Sequence, residues 1–215
     1  MDKSYIVIEG PIGVGKTSLA KRLAASFESQ LILEDALSNP FLERYYRNPK
    51  QGALPTQLFF LFQRAQQMLD MRQSDLFNPV TVSDFLFEKD RLFAEITLDG
   101  DELELYDQVV EHMDVQAPTP DLVVYLQASV PVLKRRIQQR GIDYEHKISD
   151  EYLTELANVY SRFFHDYQES PLLIVNAEVI DPAHNVQDFE MLKQRILEVD
   201  SGRHYFNPMP LTLVR

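Results

Sequence analysis

One stretch near the start of the chain limits the fold more than any other. The apolar run Tyr5-Ile6-Val7-Ile8 leads into Gly10-Pro11-Ile12-Gly13-Val14-Gly15-Lys16-Thr17-Ser18, and a helical pattern follows to about Phe27. Gly-x-x-x-x-Gly-Lys-Thr between a strand and a helix is the Walker A phosphate-binding loop in its required context. Glycines let the backbone curl until several N–H groups face one anion. The helix N-terminus adds the positive end of its dipole. Lys16 is placed for the β- and γ-phosphates and the Thr17 hydroxyl for Mg²⁺. Gly10 through Ser18 are therefore the expected residues for binding a nucleoside triphosphate.

The rest of the chain repeats this strand–helix rhythm. Apolar runs at 4–9, 31–33, 79–84, 122–126 and 172–175 alternate with helical patterns. Short, continuous apolar strands separated by helices imply an α/β fold with a parallel five-stranded sheet and helices on both faces. Helices are expected at about 16–27, from Asn39 past Tyr46, at 56–71, at 130–139, at 149–167 and at 185–199. Two more fall after Asp84, divided near Asp99-Gly100. Pro49 and the Gly52–Pro55 stretch read as a break. Residues 1–200 are expected to form one domain and 201–215 a C-terminal tail. Ligands in such sheets bind beyond the carboxyl ends of the strands. This directs attention to Glu34-Asp35, to Ser83-Asp84 and to the segment after Leu126.

Composition removes other classes. Lys+Arg 21 against Asp+Glu 33 leaves a net charge of −12, which disfavours a nucleic-acid or anionic-membrane surface. No cysteine is present, so thiolate chemistry and disulfides are excluded. No apolar stretch approaches a membrane span, and a strand starting almost at Met1 leaves no room for a signal peptide. A soluble cytoplasmic protein is expected. No Asn-Lys-x-Asp stretch for guanine is present, and Asp121 precedes its strand rather than following it, which argues against GTPase and motor classes and for a small-molecule kinase. The five histidines show no metal-ligand spacing.

In the order of its motifs, from the first strand to the last, the sequence resembles the deoxynucleoside kinase family, particularly bacterial deoxyadenosine/deoxyguanosine kinases. The resemblance implies ATP and Mg²⁺ as cofactors, a deoxynucleoside as acceptor, a lid over the triphosphate and a homodimer. It implies that Glu34, at the end of the second strand, is the general base on the sugar 5′-hydroxyl; the alternative for Glu34 or Asp35 is a helix cap. Tyr46, ahead of Pro49, matches the residue that meets the 3′-hydroxyl, and Glu145 matches the lid acid that meets the same group. Gln57 and Arg64, two helical turns apart on one face, match the pair near the base, whereas Gln66 and Gln67 read as helix-surface polarity. Phe59, Phe60 and Phe62 read mostly as core. Arg136 and Arg140, at i and i+4, match lid arginines. Asp90 reads equally as a base-reading acid or as a surface acid beside Lys89 and Arg91.

The pattern departs at Ser83-Asp84-Phe85. Relatives carry an acid followed by arginine here. Asp84 keeps the acid, expected with Thr17 at the metal, but Phe85 replaces the arginine. Arg91 or a lid arginine could take over that role. The leading expectation is a purine-preferring deoxynucleoside 5′-kinase. The alternatives are a nucleoside monophosphate kinase of thymidylate kinase type and a catalytically weak nucleotide-binding regulator.

Overall fold

The computed structural model describes residues 3–74 and 80–208. Six parallel strands run in the order β2-β3-β1-β4-β5-β6: β1 Tyr5–Glu9, β2 Gln30–Ile32, β3 Thr81–Ser83, β4 Leu122–Gln127, β5 Leu172–Asn176 and β6 Arg203–Phe206. The sheet thus has one strand more than the apolar runs imply. β6 lies inside the segment expected as a tail. Its sequence, Arg-His-Tyr-Phe, carries no apolar run because an edge strand has one free side and leaves its side chains half exposed. Pro79, at the head of the third apolar run, lies outside the described residues.

Helices α1 Lys16–Phe27, α2 Leu42–Arg47, α3 Pro49–Ser74, α4 Lys89–Thr97, α5 Gly100–Met113, α6 Val130–Arg140, α7 Asp150–Asp166 and α8 Val186–Glu198 connect the strands. The sheet buries both faces. Ile6 and Ile8 point to a core shared with α1 and α8, through Leu19, Leu23 and Leu192. Tyr5 and Val7 point to the other core, with Met68, Phe85, Tyr160 and Phe164 from the α3 and α7 side. This period of two, with apolar residues at both phases, is why the strands read as continuous apolar runs. A separate cluster joins α2, α3, α4 and α5 around Tyr45, Leu61, Ala94 and Tyr106.

The expected break at 52–55 is absent: α3 runs through Gly52 and Pro55. Gly52 serves the crossing of two helices rather than a turn, since a Cβ there would stand 2.6 Å from the Tyr45 Cα on α2. β1 emerges at the centre of the sheet, between β3 and β4. Chain connections diverge at this point, which opens a crevice for a ligand.

Candidate active site

The phosphate loop leaves β1 under tight packing. Gly10 has φ +145°, and a Cβ there would lie 2.4 Å from the Leu126 carbonyl oxygen on β4. Gly13 has φ +82° and would meet Ile137 at 2.7 Å. A side chain at Gly10 would push the loop away from the sheet, and one at Gly13 would push it away from α6, which explains both glycines. Lys16 folds back over the loop, its ammonium donating to the carbonyls of Gly10 (2.6 Å) and Pro11 (3.3 Å). Burial pulls the Lys16 pKa below its ordinary value, and neighbouring carboxylates oppose that shift.

Asp84, just past β3, joins three chain segments. Its Oδ1 accepts from the Glu34 backbone N–H at 2.8 Å, and its Oδ2 accepts from the Thr17 hydroxyl at 2.5 Å. Burial raises its pKa, with the two hydrogen bonds opposing.

Glu34 sits beyond β2 with its side chain 20% exposed. Its Oε1 carries every recorded side-chain contact: Arg64 donates from Nε at 2.9 Å and from Nη2, and the Lys89 ammonium lies 3.2 Å away. Oε2 has no recorded donor among the described residues. Burial pushes the Glu34 pKa up, but Arg64, Lys89 and Lys16 outweigh it and hold the carboxyl well below the usual carboxylate range. Glu34 is therefore an anion with one oxygen engaged and the other open.

Arg64 bridges Glu34 to Asp90, whose Oδ1 accepts from Nη1. Both Arg64 and Asp90 are buried, at 3%. The surface reading of Asp90 is thus excluded by its position. Asp90 Oδ2 and, one helix away, Gln57 Oε1 are buried acceptors without a partner among the described residues. Burial raises the Asp90 carboxyl to about 6, against the opposing pull of Arg64. Glu34, Arg64 and Asp90 thus form one ionic chain, and Gln57 is buried two turns before Arg64 on α3.

A second group forms beyond α6. Arg140 donates to Glu145 Oε2 from Nε at 3.0 Å and from Nη2 at 2.5 Å. Glu145 is buried, and the neighbouring Tyr144 ring stacks on Tyr46 with centroids 5.8 Å apart. Tyr46 and Glu145, expected to serve the same hydroxyl, therefore share one corner. The Tyr46 pKa is raised by burial first and by Glu145 second. Arg136 goes elsewhere, donating to the Val14 carbonyl at 3.0 Å and the Ala177 carbonyl at 2.8 Å. It ties the phosphate loop to the segment after β5, one turn of α6 from Arg140.

Several sequence readings need correction. Arg91 does not reach back towards Phe85: it is 44% exposed and pairs with Asp107 at 3.2 Å. Gln67 is not surface polarity, because its amide donates to the Leu33 carbonyl at 2.8 Å and fastens α3 to the exit of β2. Phe62 is 53% exposed rather than core, on the same helix face as the exposed Leu69. Two residues escaped the sequence reading. Glu9 is fully buried and accepts from the Gly10 N–H at 2.6 Å, the Leu86 N–H at 3.2 Å and the Tyr160 hydroxyl at 3.0 Å. The available signal was an acid closing an otherwise apolar central strand. Lys89, 2% exposed, lies 3.4 Å from Glu9 Oε1. Its signal was weaker, because a lysine between Glu88 and Asp90 looks solvated.

A Walker A loop at the exit of the central strand of a parallel sheet, with acids at the exits of β3 and β2 to one side of it, defines a P-loop nucleoside triphosphate-binding fold. Comparison with known proteins narrows the class. The chain belongs to the deoxynucleoside kinase family, whose family model matches residues 6–199. Deoxyguanosine kinase of Bacillus subtilis (strain 168) is 35% identical over 203 residues, covering 91% of this chain and 97% of the relative. Deoxyadenosine kinase of Lactobacillus acidophilus is 29% identical over 204 residues, covering 88% and 93%. Among solved structures, deoxyadenosine kinase from M. mycoides with bound dATP superposes with a TM-score of 0.77 at 22% identity, over 90% of this chain and all (100%) of that one. The same enzyme with products dCMP and a flexible dCDP gives 0.78 at 22% identity, over 91% and 100%. Those two likenesses establish the shared fold.

Proposed function

We propose that this chain transfers the γ-phosphoryl group of ATP to the 5′-hydroxyl of a purine deoxynucleoside. The observation that carries this reading is Glu34: an anion beside the phosphate loop, gripped through Oε1 and open at Oε2. A hydroxyl placed there gives its proton to Oε2 while its oxygen bonds to the γ-phosphorus. The bond from that phosphorus to the β–γ bridging oxygen breaks and ADP leaves.

Gly10 through Ser18 and Lys16 hold the triphosphate, and Arg136 and Arg140 supply positive charge around it. Arg140 takes this part by exchanging Glu145 for phosphate. Thr17 and Asp84 fit a magnesium site: two oxygen donors already 2.5 Å apart match an ion that takes one or two protein oxygens and completes its shell with phosphate and water. When bound, Mg²⁺ supplies charge neutralisation at the β- and γ-oxygens.

Tyr46 and Glu145 receive the sugar 3′-hydroxyl. Gln57, Arg64 and Asp90 receive the base. The unpartnered acceptors Gln57 Oε1 and Asp90 Oδ2 call for N–H donors, which adenine and guanine both carry. The named relatives, deoxyguanosine and deoxyadenosine kinases, support the purine preference. We also propose a homodimer that uses the exposed Phe62 and Leu69 of α3, and a cytoplasmic location. The −12 charge supports the absence of a nucleic-acid or membrane partner. No helix among the described residues is long and apolar enough to cross a membrane.

The test is product analysis with Mg-ATP and a panel of the four deoxynucleosides, the ribonucleosides and the deoxynucleoside monophosphates. A 5′-monophosphate from deoxyguanosine or deoxyadenosine is the expected product. Diphosphate formed only from monophosphates, or no product while ATP binds, would overturn the reading.

A further inference from the structure

The segment after β3 places an apolar ring, not a cation, beside the reacting centre. Phe85 is fully buried and packs in the core with Met68, Tyr125 and Tyr160. The positive charge comes from one turn further on. Lys89, the first residue of α4, turns its side chain back towards the sheet until Nζ lies 5.7 Å from the Phe85 ring centroid. There it stands between two carboxylates, 3.4 Å from Glu9 Oε1 and 3.2 Å from Glu34 Oε1.

We propose that Lys89 is the positioning residue that fixes the catalytic carboxylate of Glu34, held in place by Glu9. The proposal rests on the reading of Glu34 as the base. Three features support it. First, Lys89 shares Glu34 Oε1 with Arg64, so two cations on different helices pin the same oxygen and aim the other at the cleft. One contact would let the carboxyl rotate about its own bond; two from different directions do not. Second, the anchor is rigid. Glu9 is held by the Gly10 N–H, the Leu86 N–H and the Tyr160 hydroxyl. The chain Gly10–Glu9–Lys89–Glu34 therefore links the first N–H of the phosphate loop to the base and sets the spacing between phosphate and acceptor. Third, no other cation among the described residues bridges Glu9 and Glu34: Arg91 is engaged with Asp107 and Glu95, Arg64 is divided between Glu34 and Asp90, and Lys16 is turned onto the Gly10 and Pro11 carbonyls. A buried ammonium between two acids is costly unless both contacts persist, and that cost confines Lys89 to one geometry.

The experiment compares wild type with Lys89→Met, Lys89→Arg and the double variant Phe85→Arg/Lys89→Met. Loss of placement at a reacting atom costs about 10²-fold. Lys89→Met is expected to lower kcat by that factor with little change in the KM for ATP, while Lys89→Arg retains most of the rate. The split between kcat and KM, together with rescue by Lys89→Arg, separates positioning from folding, because a merely structural loss would lower ATP binding and thermal stability along with the rate.

The double variant brings a guanidinium to the same space from position 85. It carries the test even if Lys89→Met alone folds poorly, with thermal unfolding and ATP binding reporting the fold. Recovery of kcat to within tenfold of wild type supports the proposal. A folded, ATP-binding Lys89→Met with wild-type kcat overturns it, as does a folded double variant without recovery. A wild type that forms no 5′-monophosphate overturns the functional reading and the proposal with it, and that outcome is read before any variant is made.

Discussion

Replacing Arg64 with methionine removes the central cation of a buried ionic chain and keeps a side chain of similar length. Arg64 and Asp90 are 3% and 4% exposed at their side chains, while Glu34 retains Lys89 and some solvent. The stranded charge is therefore Asp90. Breaking a buried ion pair by removing one partner costs about 3–5 kcal/mol. A chain of this size loses about 2–4 °C in Tm per kcal/mol, so the expected drop at pH 8 is roughly 6–20 °C. The size of the drop depends on pH, and the sign follows from Asp90. Burial already raises its carboxyl from 3.8 to about 6, and Arg64 opposes that rise. Without Arg64 the folded-state pKa climbs further above the unfolded one. The folded chain then holds a proton that the unfolded chain has released, so stability falls as pH rises through the folded value. In wild type this fall is complete soon above pH 6; in the variant it continues to higher pH, at up to about 1.4 kcal/mol per pH unit. The Tm deficit should therefore be larger at pH 8 than at pH 6, by up to about 2–4 °C for each kcal/mol gained over that range. Thermal unfolding followed by circular dichroism at the two pH values measures it. A deficit below 2 °C at pH 8, or one equal at both pH values, would refute the claim that Arg64 compensates a buried Asp90.

Three further outcomes are expected. Gly10→Ala should abolish ATP binding in a titration calorimeter, because its Cβ would lie 2.4 Å from the Leu126 carbonyl oxygen and the loop must move; binding within threefold of wild type would count against the packing argument. Glu34→Gln should lower kcat by about 10²–10⁴-fold, with the ATP affinity kept; near-normal turnover would remove Glu34 as the base. Phe62→Glu combined with Leu69→Glu should give a monomer in sedimentation analysis, and an unchanged dimer would place the interface elsewhere.

How far the sequence could be read depended on how local the cause was. The phosphate loop and α1 were legible to the residue, because glycine spacing, Lys16-Thr17 and the preceding apolar strand act within one short stretch. The central strands were legible because burial on both faces leaves an unbroken apolar run. β6 was not, since an edge strand with half-exposed side chains has no such run. The run of α3 through Gly52 and Pro55 was not, since the fit of Gly52 against Tyr45 involves two helices. Family motifs pointed to Glu34, Gln57, Arg64 and Glu145, but which of them would meet was outside their reach.

The sequence by itself determined the phosphate-binding class, the alternation of strands and helices, and the candidate acids at the strand exits. Each is written in residues that are neighbours along the chain. Only the tertiary structure decided the charge arrangement of the cleft: Glu9 beneath the loop, Lys89 turned inward, Arg64 shared between two acids, and Asp90 buried with one oxygen open. Those contacts join residues from β1, the segment after β2, α3 and α4 that are up to about 80 positions apart, and an ion pair's strength depends on burial and distance rather than order along the chain. Lysine and aspartate look like solvated surface until the fold shows which of them water cannot reach.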